Sequence, residues 1–154
     1  MAENTVPVSL TGATLAISAT LPTTYDAAGY GATAMVYTLI GEVENYGNHG
    51  GTKTITEFTP VSTGIVTKIA GSKNYGTMTL MMASIPSDAG QVLLDAAFES
   101  TAHYSVKMTY PSGRIHYMDV LVAKNENQDG AANDTQKLAV DFALCKKPIK
   151  VAAV

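Results

Sequence analysis

Tryptophan is absent from this chain of 154 residues, and cysteine occurs once, as Cys145. Arginine also occurs once, as Arg114. A lone cysteine excludes an internal disulfide, so the fold must rest on its own core, and a reducing compartment during folding is the simple expectation. Ten basic residues against 13 acidic ones give a formal net charge of −3, which excludes the basic surface of a nucleic-acid reader. Charged residues reach only 15%, where ordinary soluble domains carry about 25%. No stretch approaches the ~18 uninterrupted apolar residues of a membrane helix. Met1 to Thr5 has neither the positive cluster nor the apolar run of a secretory signal. These absences point to a chain made in the cytoplasm with no membrane partner, carrying too few charges for a freely exposed surface.

What is present is apolar: 46% of residues are hydrophobic, so disorder is excluded as well. The length suits one domain, 1–154, with a real core. Thr14 to Thr20 reads as a short strand, and Leu21 to Gly31, with Pro, Asp and Gly, as a loop. Ala34 to Glu44 is rich in Val, Ile, Tyr and Thr and reads as a single strand. Tyr46 to Thr54 is a Gly-rich excursion. Gly64 to Ala70 reads as a strand closed by a turn at Gly71 to Asn74. In Tyr75 to Ala83, Met78, Leu80 and Met82 share one face and Thr77 and Thr79 the other, the period-2 mark of a half-buried strand.

The period then changes. Ser84-Ile85-Pro86-Ser87-Asp88 offers an N-cap Ser, with Asp88 placed where the helix dipole favours a negative charge. Gly90, Leu93, Leu94, Ala97 and Phe98 fall on one helical face, with Gln91, Asp95 and Glu99 on the wet side. One helix is expected, at about 87–100. His103 to Tyr110 and Arg114 to Lys124 alternate around Pro111-Ser112-Gly113 and read as a hairpin. Thr135 to Cys145 alternates again, with Leu138, Val140, Phe142 and Leu144 inward. The expected fold is mainly β, a two-sheet sandwich or barrel-forming domain with one flanking helix. The arms 1–12 and 146–154 lack a core pattern and are expected to order only on assembly.

Chemical motifs are weak. Asn125 to Gly130, with Asn133, has the oxygen spacing of half a calcium loop, but Gln136 stands where a bidentate Glu is required. A polar hairpin loop is the plainer reading. Gly50-Gly51-Thr52-Lys53-Thr54 has phosphate-loop residues in the wrong order, and Gly29-Tyr30-Gly31 lacks the context of a dinucleotide site. His103 and His116 lie on the two arms of the expected hairpin and would approach each other, but with His49 and one cysteine they make no zinc pattern. Lys146 and Lys147 beside Cys145 would lower its thiol pKa, though a small apolar role is the simpler one. Asp88, Asp95 and Glu99 read as a solvated helix face, and the Asn133-Asp134-Thr135 sequon is moot without secretion. No catalytic residue, metal or cofactor is expected.

The order of the pieces says more. Tyr25-Asp26-Ala27-Ala28-Gly29-Tyr30 precedes Ile40-Gly41-Glu42-Val43, and Ser87-Asp88-Ala89-Gly90-Gln91 opens the helix. The hairpin Val106 to Arg114 follows. From about Leu15 to Pro148 this resembles the major tail tube proteins of long-tailed, non-contractile bacteriophages. The resemblance implies a β-sandwich flanked by a helix, six copies in a ring, and rings stacked into a hollow tube that conducts genomic DNA without specific binding. It also implies a tape measure protein and tail terminator and tip proteins as partners, a place in the virion tail, and assembly in the host cytoplasm.

Within that frame Glu42, Glu44, Asp119 and Asp141 are candidates to line the lumen. The Tyr46 to Pro60 excursion is the candidate inter-ring contact, through Tyr46, Asn48, His49 and Phe58, because long ordered loops are usually functional. Two other classes stay open: a secreted or surface β-sandwich structural or adhesion module, and a small cation-binding β domain.

Overall fold

The computed structural model describes residues 6–153. Residues 1–5 of the expected N-terminal arm, and Val154 of the C-terminal one, lie outside the described residues. The chain runs β1 (Thr14–Ser18), α1 (Ala27–Tyr30), β2 (Thr38–Ile40), β3 (Val43–Asn45), β4 (Thr52–Phe58), β5 (Thr67–Asn74) and β6 (Thr77–Ala83). It continues through α2 (Ala89–Glu99), β7 (Tyr104–Thr109), β8 (Ile115–Gln128), β9 (Lys137–Leu144) and β10 (Ile149–Val151). The fold is mainly β, in two sheets with no closed barrel. One sheet has the order β2-β1-β7-β8-β9-β6-β3, with β10 beside β8, and the other is the β4-β5 pair.

The large sheet is built from the alternating segments. Met78, Leu80 and Met82 of β6 are fully buried, and Val140 and Phe142 oppose Leu80 and Met78 across the β6–β9 register. Val106, Met118 and Val120 extend the same apolar face across β7 and β8, and Leu15 and Ile17 across β1. The expected hairpin forms: Gly113 at φ 97° lets the chain reverse, and the Tyr110 N–H donates to the Arg114 carbonyl at 2.8 Å.

A register shift between Val122 and Lys124 inserts one extra residue into β8. Val120 and Val122 face the core before it. After it the phase flips, so that Asn125 and Asn127 oppose Val140 and Leu138. Asn125 thereby meets α2, donating from Nδ2 to Asp95 Oδ1. The calcium-loop reading fails on this geometry, because Asn125 to Gln128 are strand.

The strand expected over 34–44 is two strands. β2 and β3 are separated only by Gly41-Glu42, yet they occupy opposite ends of the sheet order. The sheet curls until its two rims lie one dipeptide apart, and the chain steps across the gap. Glu42 makes the step at φ 57°, the only non-glycine residue at positive φ among the described residues.

Helix α2 closes over this step. It runs from Ala89 to Glu99 rather than 87–100, and its N-cap is Asp88, not a serine. Asp88 Oδ2 accepts from the backbone N–H of Gln91 at 3.0 Å and of Gly41 at 3.2 Å. Gln91, expected on the wet side, is 4% exposed. It accepts from Ile85 N–H at 2.9 Å and donates to the Ala83 carbonyl at 2.8 Å, with the Gly41 carbonyl at 3.4 Å. A glycine is required at 90, since a Cβ there would sit 2.3 Å from the Leu39 carbonyl oxygen. Leu94 and Ala97 face the core as expected, whereas Phe98 stays exposed.

Three further expectations are corrected. Leu21 to Gly31 contains the short helix α1, capped by Asp26, whose carboxylate accepts from Gly29 N–H at 2.7 Å. Gly71 to Asn74 is strand within β5, and the chain reverses at Tyr75-Gly76, with Gly76 at φ 72°. In the C-terminal arm, Ile149 to Val151 pair with Tyr117 to Ile115, so that stretch is already a strand in the isolated chain.

Candidate assembly surface

The β4–β5 ribbon is the unusual element. Every residue of both strands is exposed, on both ribbon faces. Cross-strand partners share a face, so Phe58 with Thr67, and Ile69 with Thr56, form one side, and Ile55 with Ala70 the other. Phe58 is 58% exposed, Ile69 53% and Ile55 51%, and the connecting turn adds Val61, Ile65 and Val66. A two-stranded ribbon without a covering layer is marginal in water, and exposed apolar patches are a general feature of interaction sites.

The excursion expected at 46–60 therefore holds a strand, and its four contact candidates separate. Phe58 lies out on the ribbon and Asn48 on its exposed approach. Tyr46 turns inward, donating from its hydroxyl to the Ala13 carbonyl at 2.9 Å, and burial raises its pKa. His49 meets His116, Nε2 to Nδ1, at 2.9 Å. Tyr110 Oη stands 3.3 Å from His116 Nδ1 and 3.5 Å from His49 Nε2. Burial, then His49, Lys150 and Arg114, push the His116 pKa down to about 4. Burial and Lys150 lower that of His49. Both rings are therefore neutral near pH 7.

His116 and His103 do not approach each other. His103 instead pairs with Asp119, Nδ1 to Oδ1, at 3.0 Å. The position of His116 is readable in hindsight, because it sits in the apolar phase of β8 with Met118, Val120 and Val122.

The four lumen candidates occupy distinct settings. Val43 opposes Met82 on the core side, so Glu44 falls on the outer face, where it pairs with Lys137 at 2.9 Å. Asp141 opposes Thr79 on that face and is half-buried. Asp119 lies under a local cover. Ser105, opposite it, donates to the Thr20 carbonyl, and the Tyr30 ring stacks on Tyr117 at 5.2 Å. Asp119 is 1% exposed. Glu42 is exposed at the step between β2 and β3. The Cys145 thiol pKa is raised, by burial and then by Asp119, contrary to the lowering expected from its lysines. Among the described residues no group of three or more His, Cys, Asp or Glu could hold a metal ion.

The fold is thus a curled sheet with a projecting ribbon exposed on both faces. Residues 3–153 match the family described as phage tail tube protein, TTP, and the chain belongs to that family. No curated protein sequence matches it.

Solved structures of similar fold include a chain of the anti-feeding prophage baseplate, 6-fold symmetrised. It has TM-score 0.74 at 10% identity, over 97% of this chain and 99% of that one. A chain of the PVC sheath/tube terminator from an extracellular contractile injection system gives 0.70 at 9%, over 96% and 98%. The SPP1 tail tube gives 0.65 at 13%, over 96% and 81%. These likenesses show the shared fold, and the family makes the chain a phage tail tube protein, a structural class not known as enzymatic.

Proposed function

We propose that this chain is the repeating subunit of a long, non-contractile phage tail, six copies to a ring, with rings stacked into a hollow conduit for the genome. The observation that carries the reading is the β4–β5 ribbon, whose strands are exposed throughout. Stacking gives both of its faces a neighbour, with Phe58 and Asn48 on the contacting surface. Interface cores are depleted of charge, so a subunit that buries much of its surface has little need of it. Glu44 and Asp141, on the uncovered part of the outer sheet face, and Glu42 at its rim are the groups proposed to line the channel. Asp119 joins them only past its His103 partner. A negative lumen with little arginine offers DNA phosphates no foothold.

A tape measure protein inside the tube and a terminator at its end are the partners this reading requires, and assembly takes place in the host cytoplasm. Electron microscopy of the purified full chain tests it. Hollow tubes or six-fold rings are expected. Monodisperse monomer at every concentration, or rings of another order, would overturn it.

A further inference from the structure

We propose that His49, His116 and Tyr110 form a binding site for a late first-row divalent metal ion, held by His49 Nε2, His116 Nδ1 and the Tyr110 phenol oxygen. These three atoms come from separate pieces of the fold: the approach to β4, the start of β8, and the turn between β7 and β8. Their separations are 2.9, 3.3 and 3.5 Å. Ligands of a tetrahedral zinc ion at bond lengths of 2.0–2.1 Å stand about 3.3 Å apart, so the triangle has the dimensions of one face of such a tetrahedron.

Hydrogen bonding alone serves this triangle poorly. An imidazole nitrogen has either one proton or one in-plane lone pair. In either tautomer, one proton or one lone pair must serve two partners at once. A cation at the centre uses all three lone pairs together. His116 Nε2 is buried with no protein partner, so no protein acceptor fixes that ring in either tautomer. Two imidazoles and a phenol suit zinc and copper better than magnesium or calcium.

Lys150 on β10 and Arg114 beside Tyr110 act on this cluster and oppose a cation. Burial raises the Tyr110 phenol pKa, so the phenol enters as a neutral oxygen donor, and loss of the Lys150 ammonium should tighten binding. The bound ion would tie the root of the ribbon to the β7–β8 hairpin.

The test is a titration of the chelator-stripped full chain with Zn²⁺ by calorimetry and with Co²⁺ by visible absorption. One ion per chain is expected, with the Co²⁺ spectrum of a four-coordinate site. His49→Ala lies on a half-exposed approach that the fold tolerates, and together with His116→Gln it should weaken binding at least about 100-fold, the upper range for losing even an outer partner. Tyr110→Phe should weaken it. Lys150→Ala should strengthen it, and His103→Ala should leave it unchanged. Absence of saturable binding, zinc-driven precipitation without stoichiometry, equal affinity in His49→Ala, or loss in His103→Ala would overturn the site.

Discussion

Replacing Phe58 and Ile69 together by threonine separates folding from assembly. Both side chains lie on one side of the ribbon, and threonine keeps the β-propensity of the strands. Burying such a side chain fully stabilises by about 1.5–3 kcal/mol. With 58% and 53% of them still exposed in the isolated chain, each has about 1–1.5 kcal/mol left to give a neighbour. The pair therefore withdraws about 2–3 kcal/mol per contact, roughly a 30- to 150-fold weaker association. The fold should hardly notice, because exposed positions away from the core change stability by only ~0.5 kcal/mol. Sedimentation velocity and light scattering across a dilution series read the onset of assembly, and a circular-dichroism melt reads the fold. Assembly at the wild-type onset concentration, with the melt unchanged, would refute the assignment of this face to an interface.

Three further outcomes rest on the subunit itself. Gln91→Leu strands the Ile85 N–H and the Ala83 carbonyl, each costing about 1–3 kcal/mol, so a melt should fall by several degrees while Val92→Ala stays near wild type. Glu42→Val puts a β-branched residue at φ 57° and should destabilise by about 1–2 kcal/mol, whereas Glu42→Gly should be neutral or slightly stabilising in the same urea titration. Gly90→Ala places a methyl group against the Leu39 backbone, and the variant should unfold at much lower denaturant or accumulate insoluble.

The sequence carried the parts of this fold that depend on local period. Met78, Leu80 and Met82, the β7–β8 hairpin and β9 were legible because a strand with one dry face has to alternate. The stripe of α2 was legible for the same reason, apart from Phe98, whose helical phase is apolar but which stays exposed. What stayed hidden was decided between distant elements. Gln91 has an ordinary polar residue's pattern and is buried only because a rim of the sheet ends beside α2. Ala34 to Glu44 looks continuous because nothing local announces that its two halves join opposite rims. The contact candidates show the same limit: a Gly-rich excursion identifies a region that reaches out, but not that Tyr46 and His49 turn back toward their own subunit while Phe58 stays outside.

The Gly41-Glu42 step has a consequence for the stiffness of the subunit itself. A sheet held only by ladders of hydrogen bonds can flatten or tighten by small slips between strands. Here both rims belong to one continuous piece of chain, with α2 fastened over the join through Asp88 and Gln91. The curl of the sheet is thereby written into covalent geometry before any neighbour arrives. Each copy arrives with the same curl, and any neighbour meets a subunit whose two rims cannot drift apart.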